Sequence, residues 1–370
     1  MTTTPVYDLK TGYPDINLVP RQRISEITAE VMRSGRGWQY GGDLQGTLAT
    51  REPIAQFVSE ASGVPVTTDE VMITGGALTA IDILCRSLTQ PGDVVVVEDP
   101  TFYFVAQVIR MNHVEVVSVP LTADGIDLDA LAALCDRYGE RLKVVYAIPS
   151  FQNPTGLTAT NRAALADLAR RRNFTVIEDS TYQLLYFDAP PPPYLKNYDE
   201  SGHVITVGSM SKLLMPSLRS GWIWAQPHQI QEFKKFKDDA GSTLTAEIVG
   251  DFIRSGELTG QIEHARNLYA SRHHVMVAAL DRYAPSWLDW SAPGGGFFIW
   301  ATLPEGLTVA QVEPLAAARD VAFMAGRNCY IDPHDDRHLR LCFAKMEDDV
   351  LVEGIARLSE VLNEANNGKN

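Results

Sequence analysis

Cysteine is scarce in this chain. The four present, Cys85, Cys135, Cys329 and Cys342, lie far apart and form no C-x-x-C pair. That spacing disfavours a disulfide framework or a zinc site and fits a reducing compartment. Basic charge is also in deficit. The 32 Lys and Arg face 46 Asp and Glu, a formal net charge of −14. Binding nucleic acid wants a basic face, so that partner class is excluded. No apolar run reaches the length that spans a bilayer. The first eight residues, Met1 to Asp8, hold neither the basic segment nor the apolar segment of a secretory signal. These absences predict a soluble, cytoplasmic protein with no membrane partner. Internal repeats are missing too. The one biased stretch, 189–194 with four consecutive prolines, reads as a surface loop between core strands, or else as a short ligand for a proline-binding module.

What is present is an ordinary apolar fraction, 45% of 370 residues. It suffices for a sizeable core and for more than one domain. Strand-like runs at 71–74, 94–98, 114–119, 143–148, 174–178 and 204–207 alternate with helical patterns at 77–88, 102–111, 128–137 and 160–172. The last helix has a capping residue at Thr160. This rhythm predicts an α/β fold, with a mostly parallel sheet between helices. Ligands of such sheets sit at the carboxyl ends of the strands. Beyond about residue 243 the rhythm changes. A long helix at 257–283, a Pro-Gly-Gly-Gly turn at 293–296, a strand at 297–301, a helix at 309–319, strands near 321 and 339–343 and a closing helix from 347 predict a smaller α+β domain.

The most informative stretch is 206–224. An apolar run ends in Gly208, Ser209 and Ser211 flank Lys212, and Arg219 precedes a second apolar run. A lysine amine can form a Schiff base with an aldehyde, and small hydroxyls with a guanidinium can hold a phosphate. Alone, the motif is equally a surface lysine in a turn. Asp179 ends an apolar strand, a costly place for a charge without a cationic partner. It is either a helix cap or a partner for a pyridinium nitrogen, with Tyr182 near the ring oxygen. Gly75 and Gly76 stand between a strand and a helix, where free backbone N–H groups suit phosphate. Arg340 sits in the apolar run 339–343 and needs an anion, either an internal carboxylate or a substrate's. His334 and His338 are four apart, spaced for a metal on a helix, but their polar Asp-Pro surroundings read as a solvated loop, so no metal is expected.

In this order, these motifs resemble the fold-type I, class I/II aminotransferases that use pyridoxal 5'-phosphate. The likeness extends to the α-aminoadipate/kynurenine aminotransferase group, which also supplies the effector domains of MocR-type regulators. Ile148–Gly156 resembles the family's asparagine loop, which implies that Asn153 bonds the ring oxygen and orients the substrate carboxylate. Phe102 matches the aromatic stacked on the ring. Ala77 and Leu78 stand where relatives carry a hydroxyl and a glutamine, so phosphate binding would rest on backbone, Ser209, Ser211 and Arg219. Tyr40 matches the tyrosine that crosses a dimer interface to the neighbour's phosphate. Gly12 and Tyr13 match the entry strand beside the substrate, and Arg340 matches the carboxylate receptor. Tyr13 and Asp15 are then candidate pocket residues, Asp15 for a cationic side chain.

The resemblance implies a large cofactor-binding domain at 41–280, a small C-terminal domain at 281–370 and an N-terminal segment, 1–40, joining the latter. It implies a homodimer with its active site shared across the interface. The activity implied is transfer of an amino group between an L-amino acid and a 2-oxo acid through a Lys212 Schiff base. Elimination, cyclisation or oxidation on the same cofactor is the alternative, and after it an effector-sensing domain. A regulator would carry a basic winged helix, and none fits before Asp8. The extra helix and arginine that many relatives place before the entry strand do not fit there either.

Overall fold

The computed structural model describes residues 7–38, 40, 42–332, 334 and 336–367. Among these, the larger sheet has eight strands. Their order is Val71–Thr74, Gly221–Trp224, Val204–Ser209, Thr175–Asp179, Leu142–Ala147, Val94–Asp99, Glu115–Thr122 and Gly125–Ile126. The strands from Val204–Ser209 through Glu115–Thr122 are parallel. Val94, Val95, Val96 and Val97 are buried, as the continuous β-branched run of a helix-covered parallel strand requires. The helix Ala77–Leu88 follows Val71–Thr74 directly and packs on the same sheet.

Gly221–Trp224, the apolar run after Arg219, is antiparallel to both its neighbours. A parallel return needs a covered crossover, usually a helix, and the 210–220 connection is too short to supply one. Gly208 faces Trp222 across this pairing. A Cβ on Gly208 would lie 2.1 Å from the Trp222 ring, so the glycine lets the indole lie over the strand that carries the lysine turn.

A smaller antiparallel sheet orders Asp289–Trp290, Phe298–Thr302, His338–Cys342 and Met324–Ala325. The helices Glu257–Tyr283 and Asp348–Asn367 pack against each other beside it. At the N-terminal end, Tyr7–Asp8 pairs in parallel with Val321–Ala322. No helix among the described residues is long and apolar enough to cross a membrane. All four cysteines are buried and unbonded.

The helix expected at 160–172 begins at Arg162, with Asn161 at its cap and no side-chain capping bond. Thr160 donates its hydroxyl to Asp124 instead (2.7 Å), and the Asn161 amide donates to the Ile126 carbonyl. Both side chains are claimed by the neighbouring hairpin. Arg162 is fully buried. It donates to the carbonyls of Pro149, Ala159, Pro192 and Pro193 and to Ser150. The proline-rich run is therefore a structural loop that saturates a buried guanidinium. Arg162→Met is expected to strand these carbonyls and lower stability by about 3–5 kcal/mol in urea unfolding. Thr160→Ala, at the exposed hairpin contact, is expected to cost under about 1 kcal/mol.

Candidate active site

A cavity of about 440 Å³ opens at the carboxyl edge of the large sheet and reaches the smaller sheet. Lys212, Asp179, Asn153, Tyr182, Arg340, Ser209, Ser211, Arg219, Ala77, Phe102, Gly12 and Tyr13 all line it. Residues spread over more than 300 positions of sequence meet because each strand end contributes one loop.

Lys212 follows the strand Val204–Ser209 in a tight turn closed by a bond from the Met210 amide to the Ser220 carbonyl. Its Nζ donates to the Gly12 carbonyl, 2.8 Å away. Burial brings its pKa down to about 8, with Arg340 and Arg219 adding to the fall and Asp179 opposing it. The amine is thus a usable nucleophile and base near neutrality.

Asp179 closes the strand Thr175–Asp179, and no helix starts there, so it is not a helix cap. One carboxylate oxygen accepts from the amide and hydroxyl of Thr181 (3.0 and 2.6 Å), the other from the Tyr146 hydroxyl (2.8 Å). Burial raises its pKa, and these donors together with Lys212 counteract the rise. A buried carboxylate held by neutral donors beside a cavity fits a cationic ring nitrogen as its counter-ion. Tyr182, three residues on, is buried edge-on against Phe297 and Phe298.

The Asn153 loop is braced by Gln152, whose amide donates to buried Glu98 and to the Pro100 carbonyl. Asn153 Oδ1 accepts from Arg340 Nη1 at 2.7 Å, and Arg340 Nη2 donates to the Lys10 carbonyl at 2.8 Å. The guanidinium lies 4.0 Å from the Phe298 ring. Among the described residues no carboxylate pairs with Arg340, which removes the internal salt bridge as an explanation. Its Nε is buried with no partner. Such a group fits a substrate carboxylate.

On the opposite wall, Gly76 has φ +103, and a Cβ there would stand 2.8 Å from Arg219 Nη2. The same nitrogen donates to the Gly75 carbonyl at 3.0 Å. Ser209 and Ser211 share a 3.0 Å hydrogen bond. The first turn of Ala77–Leu88, two hydroxyls and a guanidinium are a donor set suited to phosphate. Phe102 lines the cavity just ahead of the helix Tyr103–Arg110. Tyr40 is fully exposed and outside the cavity lining.

Asp15 is a correction. It is buried away from the cavity, its Oδ2 paired with the buried Arg272 at 2.5 Å and its Oδ1 capping the Asn17 amide. Arg272, on the long helix, requires an anion, a demand that is invisible along the sequence. His338 opens the strand His338–Cys342 and stacks on Trp300, so the two histidines do not share a helix face. Tyr146 and Thr181 were not among the expected site residues. The signal for Tyr146 was a lone phenol in a buried apolar strand, whose hydroxyl needs a partner.

Fold and cavity together define a transferase of the pyridoxal-phosphate fold-type I class. The sequence model of that class described as aminotransferase class I and II matches residues 4–358, and the chain belongs to this family. It is 33% identical to aromatic-amino-acid aminotransferase 1 of Thermococcus litoralis, over 98% of this chain and 89% of the relative. The multiple substrate aminotransferase of Thermococcus profundus superposes with a TM-score of 0.93 at 31% identity, covering 99% and 93% of the two chains. The α-aminoadipate aminotransferase LysN of Thermus thermophilus, complexed with N-(5'-phosphopyridoxyl)-L-leucine, gives 0.89 at 30% identity, covering 98% and 93%. The protein is an aminotransferase enzyme, and its cofactor is pyridoxal 5'-phosphate.

Asp179→Asn is expected to lower kcat by about 10²-fold or more and weaken cofactor retention. Tyr146→Phe, which leaves the carboxylate with Thr181 alone, should cost roughly tenfold in the same assays. Only the neutral form of the Lys212 amine can add to an aldehyde, and its pKa lies near 8 rather than the ordinary 10.5. The rate of cofactor uptake by the apoprotein should therefore rise with pH and level off above about pH 8.

Proposed function

We propose that Lys212 is the residue that holds the cofactor covalently, and that the enzyme takes the amino group from L-amino acids with bulky, uncharged side chains. A 2-oxo acid receives it. The observation that carries this reading is a single cavity lined by the Lys212 amine, the Asp179 carboxylate and the Arg340–Asn153 pair. In it Asp179 would hold the ring nitrogen, and Tyr182 and Asn153 the ring oxygen. Gly76, Ala77, Ser209, Ser211 and Arg219 would hold the phosphate, and Phe102 would cover the ring. When bound, pyridoxal phosphate supplies an electron-poor ring that stabilises charge at the substrate Cα.

The chain's own residues do the rest. Arg340 grips the substrate α-carboxylate, with Asn153 fixing the plane of the guanidinium and Gly12 leaving room beside Phe298. A Cβ on Gly12 would fall 2.7 Å from that ring. Holding the substrate so aligns its Cα–H bond for removal. The Lys212 amine, with its lowered pKa, takes that proton and returns it. Tyr13, Leu78, Tyr103, Phe104 and Met324 line the outer cavity. These apolar and aromatic walls suit large side chains, in keeping with the aromatic amino acids in the Thermococcus litoralis relative's name.

The working unit in this reading is a cytoplasmic homodimer. Trp38 and Tyr40 are 70% and 102% exposed, and Ile16, Met32 and Leu48 nearby in sequence are exposed as well. Such apolar surface favours a partner, and Tyr40 would serve the neighbour's phosphate site. The division into 1–40, 41–280 and 281–370 is part of the same proposal.

Holoenzyme mixed with phenylalanine, tyrosine or leucine alone, with no acceptor, is expected to convert its visible band stoichiometrically to the pyridoxamine form. Catalytic release of ammonia would overturn transamination. Borohydride treatment should fix a pyridoxyl group at position 212, and Lys212→Ala should lose both the adduct and the conversion.

A further inference from the structure

The charges around the cavity do not balance. Among the described residues four cations line it: Lys10, Lys212, Arg219 and Arg340. Among the described residues Asp179 is the one acid in the lining, and Tyr146 and Thr181 occupy it. Three of the cations are engaged by the protein: Lys212 by the Gly12 carbonyl, Arg219 by that of Gly75, and Arg340 by Asn153 and the Lys10 carbonyl. Lys10 is exposed. Its amide donates to Asp8 and its carbonyl accepts from Arg340, but its ammonium has no partner among the described residues. The acids beside it in sequence are spent elsewhere, Asp8 on Lys345 and Asp15 on Arg272.

We propose that Lys10 is the receptor for the side-chain carboxylate of a dicarboxylic 2-oxo acid acceptor. This rests on the transamination reading above. Arg340 Nη2 stands 2.8 Å from the Lys10 carbonyl, so the Lys10 side chain springs from backbone that the guanidinium touches. A molecule gripped at its α-carboxylate by Arg340 extends past the residue whose flexible four-carbon stem carries the free ammonium. With an uncharged donor bound, the same stem keeps its charge in water and leaves the aromatic wall to the substrate. One pocket thereby serves two side-chain chemistries, and the specificity runs toward anions rather than toward the cationic side chains that Asp15 would have selected.

The test uses holoenzyme with phenylalanine as donor and either 2-oxoglutarate or pyruvate as acceptor. In Lys10→Gln the ratio of KM for 2-oxoglutarate to KM for pyruvate is expected to rise about tenfold, the loss of one charge-assisted contact. Lys10→Arg should restore most of it. Added salt should raise the wild-type KM for 2-oxoglutarate more than that for pyruvate. A structural role would move both acceptors together, leaving the ratio within about twofold, and this would overturn the proposal. So would a wild-type enzyme that turns over pyruvate but not 2-oxoglutarate. If phenylalanine alone fails to convert the cofactor band, the reading of bulky, uncharged donors falls, and the acceptor ratio is then measured with a donor that does convert it, so that the two failures stay distinct.

Discussion

The structure is organised around one buried negative charge. Asp179 sits at the carboxyl end of a central strand, where desolvation drives its pKa upward. Its local donors are a phenol, a hydroxyl and an amide, all neutral. Neutral donors orient a carboxylate without cancelling its charge. The site therefore keeps a strong preference for a cation in the cavity, one that the protonated ring of pyridoxal phosphate would meet. Lys212, across the same cavity, is the complementary case. Burial weakens its hold on a proton, which suits it to act as nucleophile and base rather than as a permanent counter-ion.

Elsewhere the buried charges are treated differently. Arg272 is matched by Asp15, and Arg162 is saturated by carbonyls and Ser150. Glu178 accepts from the Leu195 and Lys196 amides and from Thr206. The charge of each of these groups is answered within the chain, by an acid or by neutral hydrogen-bonding groups. Arg340 stands apart because, among the described residues, it has no acid in range, whereas Arg272, whose buried Nε is likewise without a partner, holds Asp15. The contrast separates groups that build the fold from groups that wait for a ligand.

Much of this was legible along the chain. The helix Ala77–Leu88 and the long helix Glu257–Tyr283 fall where their periodicity puts them, because amphipathic spacing is a local property. Lys212, Asp179, Asn153 and Arg340 stood out because each is a polar group at the end of, or inside, an apolar run. Tyr146 was masked by its own strand, since an aromatic in a buried β-run reads as core. Thr160 resembled a helix cap until Asp124 on a neighbouring hairpin claimed its hydroxyl. Asp15 resembled a pocket residue until a helix some 250 positions away supplied Arg272.

The sequence by itself determined the alternation of strand and helix, the lysine turn with its hydroxyls and arginine, and hence the family and its cofactor. Those features depend on neighbours a few residues apart, which the chain order preserves. Only the tertiary structure decided which charges are cancelled and which are left facing the cavity. Ion pairing is set by distance in space, and here Asp8, Lys10 and Asp15, within eight consecutive residues, are divided among a distant lysine, an open pocket and a buried arginine.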